Sequence, residues 1–437
     1  MSFQIDFEWI ERQFGTELEK ETFAKVKLLL DGHVLTEVYD RSVKNVRDHL
    51  AVSAWNLAEW FVANWWRLRW ETEVDTPDAD MSHRLPAVGG GYVWPDIRFS
   101  SDWNSVLVDV TPFEAKTAPL RFISRELHLA VPVQDFEKEM ERFLSAVVSR
   151  VRESEAVRDE RVQIFFSLWN ELQEECRDET LSHWRKLEAI AGYDPGEAPD
   201  LFYQTIQDAE AKWGRNAVQE LAAEGRDHTP RLIHEIQTLA KKRNQKLNVQ
   251  GIQTLKLKRK SRLDIHVPWT RGHEAAQQVR IGWGLGENPL SSKDFADYLG
   301  LSKQFLSGKK VAPDTPIDFG IKKDGNVHCL IRGKWETSRR FALARLLGDC
   351  LYSDPEDQLL PLTKTKTARQ KFQRAFAQEL LCPLEVLKDM FSDRKILNER
   401  VEMAARHFNV SPMTIHSTLV NRLGHSRELL LNYEEID

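Results

Sequence analysis

Between Val46 and Glu71 tryptophan stands at positions 55, 60, 65, 66 and 70, in a stretch whose apolar residues recur at helical spacing. Rings of that size along one helix need a deep core or a broad interface to cover them, so the segment dictates a sizeable packed domain around it. A stacking platform for nucleic-acid bases would need flanking positive charge, and only Arg67 and Arg69 lie close by, so a core or interface role is expected. With 437 residues the chain has length for two or three domains. Its 41% hydrophobic and 29% charged residues are those of an ordered globular protein. The most apolar run, Leu57–Trp70, is too short to span a bilayer and carries Glu59, Arg67 and Arg69. Cys176, Cys329, Cys350 and Cys382 have no paired spacing, which argues against a disulfide framework and a CxxC zinc site. The opening M-S-F-Q-I-D-F-E has neither a basic n-region nor an apolar h-region. No secretory signal, no membrane partner and a cytoplasmic location are therefore expected.

The fold class expected is α+β in three regions. A mixed, Trp-rich N-terminal domain is expected over 1–132, a helical domain ending in a basic strand over 133–264, and a mostly helical domain with a small sheet over 265–437. Val26–Leu30 and Val34–Val38 around Asp31-Gly32 read as a hairpin. Val46–Glu71 reads as a helix, and Val106–Val110 and Leu120–Val133 as strands. Phe136–Arg152 and Leu232–Lys246 are amphipathic, with breaks at Gly192–Pro199 and near Gly225. Gly89-Gly90-Gly91 permits positive φ and close backbone approach, but lacks the Lys-Ser/Thr and following helix of a phosphate loop. It reads as a loop folded over the Trp-rich helix, with Trp94 in the core.

Charge is distributed unevenly. Against a formal net charge of −6, the run Lys241–Arg262 holds Lys241, Lys242, Arg243, Lys246, Lys256, Lys258, Arg259, Lys260 and Arg262 and no acid. Thr254–Lys260 alternates as a strand would, so it reads either as a lysine-blunted edge at a domain boundary or as a ribbon contacting phosphates. Glu399–His407 and Pro412–Arg422 form a helical pair, with Ser411 as N-cap and Pro412 at the first helical position. Read as a helix-turn-helix, it would offer Thr414, His416, Ser417 and Asn421 to base edges.

Arg340–Asp349 reads R-F-A-L-A-R-L-L-G-D, and Phe376–Pro383 reads F-A-Q-E-L-L-C-P. With Ala404–Leu423 and the lead-in Gly272–Gly300, these blocks resemble, in order, the ImmA/IrrE metallopeptidase family over about the last 165 residues. That resemblance implies a zincin-like domain. In the family, two His at i and i+4 on one helical face bind zinc, and a Glu after the first activates water. Here Arg345 and Asp349 stand at the ligand positions and Leu346 at the base. Phe372 stands where a later Glu supplies the third ligand. An arginine offers no lone pair to a metal, and a leucine moves no proton. Arg345 and Asp349 are expected to pair with each other, as an i,i+4 ion pair, or with neighbouring helices, in place of the metal. A residual site through Asp349, Cys350, His328, His407 and His416 would need three or four of them to converge.

The resemblance implies a pseudoenzyme without cofactor. It would act as a binding, sensor or scaffold subunit in bacterial regulation or in defence against phages and mobile elements. Its partner is expected to be a protein, repressor-like or a defence-complex subunit. If the peptide groove outlives catalysis, the partner should lie along His328–Gly333, on an exposed strand edge at His328, Cys329, Leu330 and Ile331. Two alternatives stand beside this reading: a nucleic-acid-associated subunit using the basic run, and an active zinc peptidase with non-standard ligands.

Overall fold

The structure, a computed structural model, describes residues 1–73, 81–112, 119–241, 245–247, 267–307, 315–392 and 398–424. The architecture is α+β, and it divides into two compact units, Met1–Ala198 and Pro199–Asp437.

The first unit begins with β1 (Phe3–Trp9), α1 (Glu17–Glu21) and β2 (Phe23–Leu30). β2 has every second residue buried and pairs antiparallel with β1 along its length. Asp31 and Gly32 both take positive φ, 50° and 79°, as a two-residue turn that follows strand twist requires. They return the chain into β3 (His33–Val34), which pairs with Leu29 and Leu30. The hairpin's second strand is shorter than expected, because Val38 opens β4 (Val38–Asp40), which belongs to another sheet with β5 (Asn45–Arg47) and β9 (Leu120–Phe122).

The helix expected from Val46 starts at residue 54. Leu50 and Val52 are buried at strand spacing in β6 (Leu50–Ser53), which pairs with Phe23–Val26 of β2. α2 (Ala54–Trp70) follows, and the Ala54 amide donates to the Thr22 carbonyl at its start. Trp55, Trp60 and Trp66 are buried in the core, with Trp65 and Trp70 packed against it. Trp60 Nε1 donates to the Met81 carbonyl and Trp66 Nε1 to Glu175. Gly89, Gly90 and Gly91 all take positive φ, and a Cβ at Gly90 would meet Asn56 Nδ2 of α2 at 2.4 Å. Trp94 is buried, as expected, and donates to the Gly89 carbonyl.

β7 (Ile97–Ser101), β8 (Ser105–Val110) and β10 (Leu127–Pro132) form the third sheet of this unit. The strand expected over Leu120–Val133 is therefore two strands in two sheets. α3 (Val133–Arg152), α4 (Glu160–Arg177) and α5 (Glu179–Ala191) complete the unit. Met140, Phe143 and Phe165 lie in the same hydrophobic cluster as the tryptophans, and the Trp55 and Phe165 rings are 4.6 Å apart. α3 and α4 thus share one core with the strands before them.

The second unit opens with α6 (Asp200–Trp213), α7 (Arg215–Gly225) and α8 (Thr229–Ala240), then the short strand β11 (Gln245–Leu247). The amphipathic run expected to remain helical to Lys246 ends at Ala240, and the chain is extended by Gln245. After α9 (Pro268–Gly282), α10 (Ser292–Tyr298) and α11 (Lys303–Ser307) come β12 (Asp318–Lys323) and β13 (Asn326–Leu330). α12 (Glu336–Tyr352), β14 (Leu359–Leu362), α13 (Ala368–Leu381), α14 (Leu384–Met390), α15 (Asn398–Phe408) and α16 (Pro412–Leu423) follow. Ser411 accepts from the Thr414 amide and caps α16, as expected. The four strands order as β11-β13-β12-β14, each pair antiparallel.

Three buried arginines tie this unit together through backbone carbonyls. Arg280 donates to the carbonyls of Leu380, Gly286 and Asn288, and Arg339 to those of Leu306, Gly333 and Lys334. Arg340 reaches Leu290, Phe408 and Asn409 and the Ser292 hydroxyl. Leu380, Leu306 and Phe408 sit at the ends of α13, α11 and α15, where carbonyls lack intrahelical donors and the dipole favours a cation. Each guanidinium therefore closes the C-terminus of a different helix.

α9 and α13 approach through Gly272, where a Cβ would fall 2.6 Å from the Phe372 carbonyl oxygen and 3.0 Å from the Phe376 amide nitrogen. Both obstacles are backbone, so neither helix can yield locally. Gly272→Ala should therefore cost about 2 kcal/mol, the usual scale of overpacking, read as a lower midpoint in urea. Next to it His273 is buried, with its Nε2 lacking a partner among the described residues. Burial, helped by the nearby Arg422 charge, lowers its pKa to about 4. An unfolded histidine titrates near 6.5, so between these values the unfolded chain binds the extra proton and stability falls as pH falls. His273→Leu should flatten a slope approaching about 1.4 kcal/mol per pH unit between pH 6 and 4.5. Urea midpoints with parallel pH dependence in both proteins would refute this.

Candidate functional site

α12 carries the Arg340–Asp349 motif, and its two faces have separate tasks. Leu343, Leu346 and Leu347 are buried in the core. A Cβ at Gly320 of β12 would sit 2.7 Å from Leu346 Cδ1, so the residue at the expected base position packs on the sheet. Gly348 admits the Phe376 ring of α13, whose atoms would lie 2.9 Å from a Cβ there. At the helix start Glu336 accepts from Ser292 and Asn409, which hold its carboxyl below its ordinary range.

The other face meets α13. Asp349, fully buried, takes a two-pronged bond from Arg369: Nε to Oδ1 at 2.7 Å and Nη2 to Oδ2 at 2.8 Å. The remaining Arg369 nitrogen, Nη1, reaches Asp357 Oδ2 at 2.9 Å. Burial alone would push the Arg369 pKa down, yet the attraction of Asp349 and the bonds to it hold it above its ordinary value. Of the two expected pairings, along the helix or with a neighbouring helix, the structure has the second for Asp349. Asp349 bonds across to α13, and no ion pair joins it to Arg345 among the described residues.

Arg345 Nη2 donates to the Thr363 carbonyl at 2.8 Å, Gln370 Oε1 at 2.5 Å and Gln373 Oε1 at 3.1 Å. Its Nε is buried without an acceptor among the described residues. Burial, then repulsion from Arg374, lowers its pKa to about 9, so it remains charged at neutral pH. Asp318, then Asp349 and Glu220, attract its charge, and Glu220 is a residue the sequence reading missed. Glu220 of α7 is fully buried and accepts from Thr367 Oγ1 at 2.7 Å and from Gln370 Nε2 at 3.0 Å, with Thr363 and Thr365 at 3.5 and 3.4 Å. Gln370 thereby joins Glu220 to Arg345, a carboxylate and a guanidinium linked through one amide. Desolvation raises the Glu220 pKa, opposed by Arg369 and by the donors from Thr367 and Gln370. Its only sequence signal was a charge inside the apolar run Ala217-Val218-Gln219-Glu220-Leu221-Ala222.

Phe372, at the third ligand position, is buried against Phe376 and Tyr352. These residues do not fit a zinc ion. Arg345 and Leu346 have no lone pair to give, Phe372 is a hydrocarbon, and both Asp349 oxygens are engaged by Arg369. Among the described residues no three His, Cys, Asp or Glu converge as a metal site.

The expected groove residues lie on and just after β13. Cys329 and Ile331 are buried, His328 and Leu330 half-buried. Burial pushes the Cys329 thiol up. The strand is not an open edge. β12 pairs with it on one side, and β11 on the other sets Gln245 opposite Cys329, Lys246 opposite His328 and Leu247 opposite Val327.

Of the basic run, Lys241 is exposed at the end of α8, and Lys246 contributes backbone to β11. Lys242, Arg243, Lys256, Lys258, Arg259, Lys260 and Arg262, like the strand expected over Thr254–Lys260, lie outside the described residues. In α16 Thr414 and His416 are buried, and Ser417 accepts from Gln378 of α13 at 2.6 Å. Only Asn421 of the four proposed base readers is exposed. The helical pair packs its supposed reading face into its own unit.

Removing Asp349 would leave Arg369 buried with half its partners. Asp349→Ala should lower stability by about 3 kcal/mol, whereas Asp349→Leu with Arg369→Met and Asp357→Asn should lose much less, since all three charges of the bridge go together. A melt of Asp349→Ala matching the parent would refute the arrangement. In comparisons with protein-family models, curated proteins and solved structures, the chain finds no match.

Proposed function

We propose that the chain is a catalytically inactive relative of the ImmA/IrrE metallopeptidases. In this reading it acts by binding, as a sensor or scaffold subunit in bacterial regulation or in defence against phages and mobile elements, and residues 265–437 are a zincin-like domain that has kept its frame. The observation that carries the proposal is the buried Asp349–Arg369–Asp357 bridge, beside Arg345 and its amide-linked Glu220. Residues at all three ligand positions and at the base position are engaged in packing or ion pairing. What such a unit retains is a sheet with a peptide-compatible edge strand and a rigid helical frame behind it.

The test is elemental analysis combined with an attempt at restoration. The purified chain should hold no stoichiometric zinc and should cleave no repressor carrying a helix-turn-helix. Arg345→His with Leu346→Glu and Asp349→His should also remain inactive, because Phe372 supplies no third ligand. About one zinc per chain in the parent protein would overturn the proposal.

A further inference from the structure

The sheet of β4, β5 and β9 in the first unit carries a charge opposite to that of the whole chain. Residues 37–47 and 120–125 hold Arg41, Lys44, Arg47, Arg121 and Arg125 against Glu37 and Asp40, in a chain of net charge −6. Asp40 is engaged inside the turn, pairing with Arg47 at 2.8 Å and accepting from the Ser42 amide at 2.9 Å. Two acids just beyond are also paired, Asp48 with Lys27 and Glu126 with His128. Residues 41–44, the tip between β4 and β5, are all exposed, Val43 to 66%. The two faces of the sheet differ. Val38 and Phe122 turn inward, 0% and 4% exposed. Strand alternation turns Tyr39 outward, with Val46 directly opposite on one side and Arg121 on the other. Val46 is 49% exposed, and Ile123, the next residue on this face, 40%. A row of valine, tyrosine and arginine thus crosses a solvent-facing sheet beside a cationic tip.

We propose that this face and tip bind single-stranded nucleic acid without sequence preference. Arg41, Lys44, Arg121 and Arg125, all exposed, contact phosphates, while Tyr39 and the Arg121 guanidinium offer flat surfaces to bases. Bases in a duplex are already stacked on their neighbours, so a flat row of this kind serves a single strand, whose bases expose their faces. The absence of any ordered polar pattern on the row, two aliphatic side chains beside one ring, is why no base is distinguished. The surface lies wholly in the first unit and is independent of the role proposed above for residues 265–437.

Dye-labelled oligothymidylate and oligouridylate of about 12 nucleotides, a length such surfaces cover, are titrated into the full chain. Binding of either supports the proposal, and the tighter strand identifies the sugar. Four cations on phosphates should weaken it about 50-fold between roughly 50 and 200 mM salt. Lys44→Glu with Arg125→Glu should cost at least about tenfold and lower the salt slope by ~1.4. Tyr39→Leu should cost about tenfold at an unchanged slope, because stacking releases no counterions. Lys256→Glu with Lys258→Glu and Lys260→Glu should change nothing. Loss of binding there, with the sheet variants unaffected, would move the surface to the basic run and overturn the proposal. So would no binding of either strand, or stronger competition by a duplex or by phosphatidylserine vesicles than by unlabelled single strand. Should the sheet variants lose their fold, the parent decides: a bromouridine strand must crosslink within residues 39–47 or 120–125 on irradiation, and crosslinks only elsewhere reject the surface.

Discussion

Arg369 is the group on which the centre of the second unit depends. It extends from the first turn of α13, grips Asp349 of α12 with two nitrogens and Asp357 of the intervening turn with the third. The same turn is tied to α6, because the Gln358 amide donates to the Trp213 carbonyl and Gly214 leaves room for Asp357. Three segments thus converge on one guanidinium. Burying a cation with two carboxylates costs desolvation roughly equal to what their attraction returns, so the bridge adds little net stability. Its effect lies in geometry. A planar fork fits the Asp349 carboxylate in one orientation, which fixes the rotation of α12 against α13 where leucine and phenylalanine contacts alone would tolerate several.

The neutral partners of the other buried arginines follow the same logic by another route. Arg280, Arg339 and Arg340 have carbonyl acceptors at helix ends, positions that must be satisfied somehow. Desolvation lowers the Arg340 pKa to about 10, yet at neutral pH it stays ionised and its bonds to carbonyls stay charge-assisted. Arg340 belongs to the frame on which the family resemblance rests. Its role here requires no metal.

Local features were legible in the sequence because local chemistry decides them. Asp31-Gly32 makes its turn through two positive φ values, Ser411 caps its helix, and the tryptophans of α2 enter a core because nothing else covers such rings. The failures were of two kinds. Residues 46–53 carry apolar spacing that serves a strand as well as a helix, and only the β2 edge decides between them. Partners distant in sequence were not identifiable: a neighbouring helix was one of two expected partners for Asp349, but nothing pointed to Arg369, 20 residues on. Glu220 bonds Gln370 across 150 residues. Periodicity reports which face of a helix is buried, but not what that face meets.

That distinction bears on how two helices are joined at one place. A divalent ion held by three side chains joins two helices at one point, whereas the present centre spreads the join over Asp349, Arg369, Asp357, Arg345, Gln370 and Glu220. Glu220 stands on α7, so the helices ahead of β11 are bonded to the α12–α13 centre rather than appended to it. The chain that leaves α8 then lies on the outer edge of β13. One continuous stretch of sequence therefore supplies both the buried acid behind α13 and the strand in front of it.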